Sequence, residues 1–275
     1  MKIAVHQMCS TINPERNCDA MVDAVYHSSQ AGAKMYFAPE MALMVDRDRS
    51  RAQGIIKYEA DSHELERVSR AAMENAIWVH LGSLPVRFQG SEKFANRTII
   101  FGPDGSIRAR YDKMHLFDVD LSTGEHWQES AAYQEGCEPV AIDTPLGLMG
   151  LSICYDLRFP DLFSAYSQSG VDVLAVPSAF TVPTGDAHWH VLLRARAIES
   201  EAFVVAAAQC GIHDDGRQTF GHSLVVDPWG DVVLDMGNMV GLGFANLDME
   251  RLAQVRAQIP VRTNRRDITM RVRLA

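Results

Sequence analysis

Two apolar rhythms alternate along this chain, one of period two or of short continuous runs, the other of helical period. Residues 2–8 read as a strand. Asn13-Pro14 marks a helix start, because Asn caps well and Pro suits a first turn. The helix it opens is predicted to run to about Gln30, with Cys18, Met21, Val22 and Val25 on one face. Residues 34–38 read as a second strand ended by Pro39, followed by a helix at about 60–75 and a strand at 77–83. Gly102-Pro103-Asp104-Gly105 is a strong turn signal, so 96–101 and 107–111 are predicted to form a hairpin. A second hairpin is expected around Thr144-Pro145-Leu146-Gly147. The glycine-interrupted apolar run 146–153 reads as a buried strand stopping at Cys154, with a helix just beyond it. Further on come strand 171–176, helix 187–200, and strands 202–208 and 220–226. The turn Asp227-Pro228-Trp229-Gly230, strands 231–235 and 243–247, and a last helix capped by Asp248 complete the pattern. Strand–helix–strand units mixed with hairpins indicate an α/β domain with mixed sheets, and the number of strands suggests two sheets face to face with helices outside.

Composition narrows this picture. The chain has 275 residues, 47% hydrophobic and 22% charged, enough to bury a sizeable core. With no linker or low-complexity tract, residues 1–275 are expected to form a single domain. The formal charge of −9 argues against nucleic-acid and anionic-membrane partners, although a pocket can still be locally basic. No run approaches the ~18 apolar residues of a membrane span. Residues 1–8 read as a strand and not as a signal peptide. Five scattered cysteines without a CxxC pair fit reduced thiols in a cytoplasmic protein.

Among those cysteines Cys154 has a distinctive context. It ends an apolar strand and precedes a helix, in Leu151-Ser152-Ile153-Cys154-Tyr155-Asp156-Leu157-Arg158-Phe159-Pro160. Backbone N–H groups at a helix start favour negative charge, so its thiol is expected to be more acidic than usual. A free cysteine is more often a small buried hydrophobe, and the other four are read that way. Glu40 follows Pro39 at the end of a strand, and Lys113 follows the hairpin strand in Tyr111-Asp112-Lys113-Met114-His115-Leu116. Each in isolation reads as a solvated charge. Of the histidines, only His188 and His190 lie close together, beside Trp189. No third ligand is nearby and HExxH is absent, so no metal or cofactor is expected, and this pair is read as packing at a helix start.

Taken together these segments are specific. Phe37-Ala38-Pro39-Glu40, the Lys113 segment and the Cys154 segment resemble, in order and spacing, the nitrilase superfamily of carbon–nitrogen hydrolases. The resemblance spans nearly the whole chain. It continues through Pro177-Ser178-Ala179-Phe180, Thr184-Gly185, His188-Trp189, Arg194-Ala195-Arg196, Gly221-His222-Ser223, Asp227-Pro228-Trp229-Gly230 and Arg265-Arg266-Asp267. Val204-Val205-Ala206-Ala207-Ala208-Gln209-Cys210-Gly211 is most similar to the deaminated glutathione amidase branch. The resemblance implies a four-layer αββα sandwich of two mixed sheets packed face to face, assembled as a homodimer or larger homo-oligomer. It implies a catalytic triad of Glu40, Lys113 and Cys154, with Glu129 as a supporting glutamate. The stretch between Phe117 and Glu129 departs from the family, with Ser122-Thr123-Gly124 where relatives have Pro-Gly.

The implied reaction is hydrolysis of a small carboxylate-bearing amide through a cysteine thioester, with deaminated glutathione giving 2-oxoglutarate and Cys-Gly. Such a substrate calls for cationic or hydroxyl groups. Tyr155, Arg158 and Thr184 are the candidates, with Arg47 and Arg49 in the loop after Glu40. The alternatives are an omega-amidase acting on 2-oxoglutaramate, another small-acid amidase, or a catalytically idle scaffold. A synthetase domain would need an ATP site, and no P-loop is present.

Overall fold

The structure, a computed structural model, describes residues 1–88, 90–120, 124 and 126–266. Ser122, Thr123 and Asp267 of the motifs above lie outside the described residues.

The first half contains β1 (Lys2–Gln7), α1 (Pro14–Gln30), β2 (Met35–Phe37), α2 (Arg49–Ile55), α3 (His63–Glu74) and β3 (Trp78–His80). It closes with β4 (Leu84–Arg87), β5 (Phe94–Phe101) and β6 (Ile107–Asp112). A short hairpin, β7 (Asp118–Asp120) and β8 (His126–Gln128), leads to β9 (Ala141–Thr144) and β10 (Gly147–Leu151). Then come α4 (Pro160–Gln168), β11 (Val173–Ala175), α5 (Val182–Ser200), β12 (Phe203–Ala206), β13 (Cys210–Ile212) and β14 (Gln218–Phe220). The last elements are β15 (Leu224–Val226), β16 (Val232–Asp235), β17 (Gly241–Asn246), α6 (Met249–Gln258) and α7 (Val261–Asn264).

Two mixed sheets result. One runs β17-β1-β2-β3-β5-β4, with β6 also paired to β5; the other runs β16-β15-β12-β11-β10-β9. Each has three parallel strands at its centre, β1-β2-β3 and β10-β11-β12, flanked by antiparallel partners. Strand alternation then builds the layers. Ile3, Val5, Met35 and Phe37 pack with Met149, Leu151, Val173 and Val205 between the sheets. Ala4, Tyr36 and Val79 face outward onto Met21 and Val25 of α1 and Leu65 and Val68 of α3. Helices α4 and α5 cover the other sheet through Phe163, Trp189 and Leu193. The architecture is the expected αββα sandwich.

Local chemistry starts the helices where the sequence suggests. The Asn13 side chain accepts from the Glu15 and Arg16 N–H groups at 2.9 and 3.2 Å. Asp248 does the same for Glu250 and Arg251 at 3.0 and 3.2 Å. Each such cap contributes about 1 kcal/mol.

Two expectations need correction. Helix α5 begins at Val182 and not near 187, so His188 and His190 lie well inside it. Pro183 in its first turn supports the early start, and Gly185 lets the helix lie against Phe220, whose ring a Cβ there would meet at 2.2 Å. The run 220–226 is not one strand. It breaks at Gly221 and His222, with φ of 78° and 53°, and only Leu224–Val226 belongs to the large sheet.

Candidate active site

Strand ends along one rim of the two sheets deliver the candidate residues. Glu40 sits just beyond β2. Its backbone carbonyl accepts from Gln209 Nε2 at 3.0 Å, and the next N–H, of Met41, donates to Ser83 Oγ at 3.1 Å. Gly82 lies so close beneath that a Cβ would approach the Pro39 carbonyl oxygen to 1.9 Å, so the turn carrying Glu40 needs glycine there.

Lys113 directly follows β6 and is buried, with its backbone N–H donating to Asn96 O at 2.9 Å. Its ammonium donates to Glu40 Oε1 at 2.9 Å and to Glu129 Oε2 at 2.9 Å. Burial alone would lower the lysine's affinity for its proton, but the Glu129 and Glu40 carboxylates outweigh it and hold the ammonium well above its ordinary value. Glu129 is fixed in turn by the Phe117 N–H at 2.7 Å. Asn96 donates to both carboxylates, at 3.0 Å to Glu40 and 3.3 Å to Glu129.

Cys154 occupies the turn after β10 with φ of 48°, a left-handed conformation that costs a non-glycine residue about 1 kcal/mol or more. Its N–H donates to Pro177 O at 3.0 Å. Buried Asp156 stabilises the turn. One carboxylate oxygen accepts from the Ile153 N–H at 2.8 Å and the Tyr111 hydroxyl at 2.7 Å. The other accepts from the His115 N–H at 3.0 Å and pairs with His115 Nδ1 at 2.7 Å. Asp156 thus ties the Cys154 turn to both sides of Lys113.

The expected acidic thiol is not found. Burial and the Glu40 charge push the Cys154 thiol well above its ordinary value, against the opposing pull of Lys113 and the Ala179 N–H. A helix-start argument sees only neighbours in sequence, whereas the dominant carboxylate arrives from another strand. A thiol beside a carboxylate is placed where the two can exchange a proton.

These groups floor a cavity of about 780 Å³ whose wall includes Tyr155, Arg158, Thr184, Arg47 and Arg49. The Thr184 hydroxyl already pairs with Thr181 Oγ1 at 2.8 Å. The Arg158 guanidinium pairs with His188 Nδ1 at 3.3 Å and lies 5.5 Å from the Phe180 ring centre. Arg217 was not anticipated. It lines the same cavity, over the Trp127 ring at 4.8 Å, with a buried Nε that has no hydrogen-bond partner among the described residues. His188 and His190 do not act as a pair, because two residues apart on a helix they point to different sides. His190 instead meets Asp235.

Comparison with known proteins gives the chain's family and fold. The carbon-nitrogen hydrolase family model matches residues 2–257. A deaminated glutathione amidase from Rattus norvegicus is 40% identical over 269 residues, covering 96% of this chain and 82% of that protein. One from Yersinia enterocolitica is 34% identical, covering 97% and 93%. The crystal structure of the C. elegans NitFhit protein superposes with a TM-score of 0.90 at 38% identity, covering 96% of this chain and 65% of that one. No helix among the described residues is long and apolar enough to cross a membrane.

Proposed function

The chain belongs to the carbon–nitrogen hydrolase family, and from that premise we propose that it cleaves the amide of deaminated glutathione, giving 2-oxoglutarate and Cys-Gly. The observation that carries this reading is the Lys113 ammonium held between two carboxylates at 2.9 Å each, beside a buried thiol, on the floor of a cavity.

Cys154 is the nucleophile and Glu40 its base. Glu40 takes the thiol proton as sulfur attacks the amide carbonyl carbon. Negative charge moves onto the carbonyl oxygen, where the Lys113 ammonium and the Tyr155 backbone N–H stabilise it; removing one such donor costs about 3–4 kcal/mol of barrier lowering. Glu40 returns the proton to the departing nitrogen, the C–N bond breaks, and an acyl thioester remains on Cys154. Water then attacks the thioester, giving its proton through Glu40 to the sulfur, and the acid leaves. Glu129 keeps Lys113 charged and aimed.

The substrate assignment draws support from the names of the curated relatives and from the cavity wall. Its carboxylates are already engaged: Glu40 and Glu129 with Lys113, and Asp46 with Arg51 at 2.6 Å. Arg47, Arg49 and Arg158 have no carboxylate within ion-pair distance among the described residues, which suits a substrate with two carboxylates. Comparing kcat/KM for deaminated glutathione, 2-oxoglutaramate and succinamate tests this. Preference for the first supports the assignment. Preference for either of the others makes the chain a small-acid amidase, and no turnover of any of them removes the substrate class.

A further inference from the structure

Away from the cavity, three side chains from separate elements converge on one point of the outer surface. His190 projects from α5, His222 from the turn between β14 and β15, and Asp235 from the end of β16. His190 Nε2 lies 3.0 Å from Asp235 Oδ2. His222 Nδ1 lies 2.9 Å from Asp235 Oδ1 and 3.2 Å from Oδ2. One ligand atom from each residue can be chosen so that all lie within 4.8 Å of one another. Ligands held ~2.1 Å from a metal ion in tetrahedral or octahedral geometry stand ~3–3.5 Å apart, so little movement is needed to seat an ion.

We propose that His190, His222 and Asp235 form a surface site for a divalent transition-metal ion. Two imidazoles and one carboxylate suit Zn²⁺, Co²⁺ or Ni²⁺, whereas Mg²⁺ and Ca²⁺ call for oxygen ligands. The arrangement is built in advance. His222 has φ of 53°, and its backbone is held on both sides: its N–H donates to Gly237 O at 2.7 Å, and its carbonyl accepts from Trp189 Nε1 at 2.8 Å. Its ring stacks on Phe220, with centroids 4.6 Å apart. His190 meets the edge of the same Phe220 ring, and Asp235 Oδ1 also accepts from the Gly237 N–H at 2.9 Å. The three groups are half-exposed, leaving an entry path and room for water ligands.

The second nitrogens of both rings have no hydrogen-bond partner among the described residues. Such partners are worth about 10–100-fold in affinity, so this site binds its ion more weakly than a structural zinc centre does. An ion here ties α5 to the β14–β15 turn. Thr219 of β14, which bridges to Thr181 at the foot of α5, lines the cavity wall, so the ion braces that wall.

Isothermal titration of tag-free, chelator-treated protein with ZnCl₂ tests the proposal, with Co²⁺ absorption as a second readout. Wild type should bind about one ion per chain, and His190→Ala should weaken binding by ~10-fold or more. His190→Ala replaces a half-exposed helix residue, and circular dichroism without metal confirms its fold. Co²⁺ should give visible bands without thiolate charge transfer. Asp235→Asn should reproduce the loss. The proposal fails if wild type binds no ion at ~100 μM, a concentration any useful site would fill. It also fails if His190→Ala binds as tightly as wild type, or if Co²⁺ shows cysteine ligation.

Discussion

The floor and the mouth of the cavity obey different physics. On the floor, Lys113, Glu40, Glu129 and Asn96 are buried or nearly so, and hydrogen-bonded to one another, and Asp156 ties the Cys154 turn to the Lys113 strand. In such a low-dielectric setting, charges are costly to leave alone and effective when paired. At the mouth, Arg47 lies in a loop, Arg49 opens the short helix α2 and Arg158 ends the helical turn after Cys154, and all three are more open to water. Screening weakens what any one of them contributes. On the proposed reading the difference is a division of labour: bond-breaking is assigned to groups the fold immobilises, and substrate choice to groups it leaves adjustable.

Substitutions on the floor should therefore strike kcat, and those at the mouth KM. Cys154→Ala should show the largest effect, a fall in kcat of at least about 10⁴-fold with the fold retained, measured by steady-state kinetics and thermal melting. Lys113→Ala should follow, with kcat lower by about 10³-fold. It leaves Glu40 and Glu129 facing each other without a cation, so urea unfolding should also report a loss of about 3–5 kcal/mol. If Lys113→Ala changed only KM, floor and mouth would not differ as described. Glu129→Gln should lower kcat by about 10²-fold by letting the ammonium drift, with little change in KM. At the mouth, Arg158→Ala should raise KM about 10-fold for a dicarboxylate amide and leave a neutral amide unaffected. Equal losses with both substrates would assign Arg158 to structure instead.

The smallest effect separates acid sensitivity of the fold from that of the site. Burial lowers the His6 imidazole from its ordinary 6.5 to about 4. Between these values the unfolded chain binds a proton that the folded chain refuses. The stability His6 contributes is therefore whole above pH 6.5 and lost as pH falls towards 4, by up to about 3 kcal/mol. His6→Gln should make the fall of the urea midpoint between pH 7 and 4.5 shallower, with the buried His80 imidazole, lowered to about 3, supplying much of what remains, and with the pH profile of kcat unmoved.

The same division decided what the sequence could disclose. Glu40, Lys113 and Cys154 lie at strand ends inside recognisable motifs, so both their location and their proposed roles could be read. Asn96 could not. A buried amide inside an apolar strand has no local signature, and its bonds to Glu40 and Glu129 exist only once β5 lies beside both. Asp156 was visible next to Cys154, but its link to Tyr111 and His115 depends on tertiary contact. The thiol's acidity is not legible in the sequence for a similar reason: burial first, and then the Glu40 charge brought from another strand, outweigh its neighbours in sequence. Among the elements, β7 and β8 are not legible because their exposed polar runs, Asp118–Asp120 and His126–Gln128, offer no apolar stretch such as marks the equally short β2 and β11. The start of α5 was placed late because Pro183 and Gly185 look like loop residues, although one opens the helix and the other fits it to Phe220.

The central claim is that amide cleavage passes through a covalent bond to one buried thiol. Acid-quenching the enzyme during turnover of a slow amide and measuring its intact mass, then mapping the modified peptide, tests it most directly. The predicted result is a gain equal to the acyl portion of the substrate, without its amine, on the peptide containing Cys154, and no gain in Cys154→Ala. Turnover without any adduct, full activity in Cys154→Ala, or an adduct on another cysteine would contradict it.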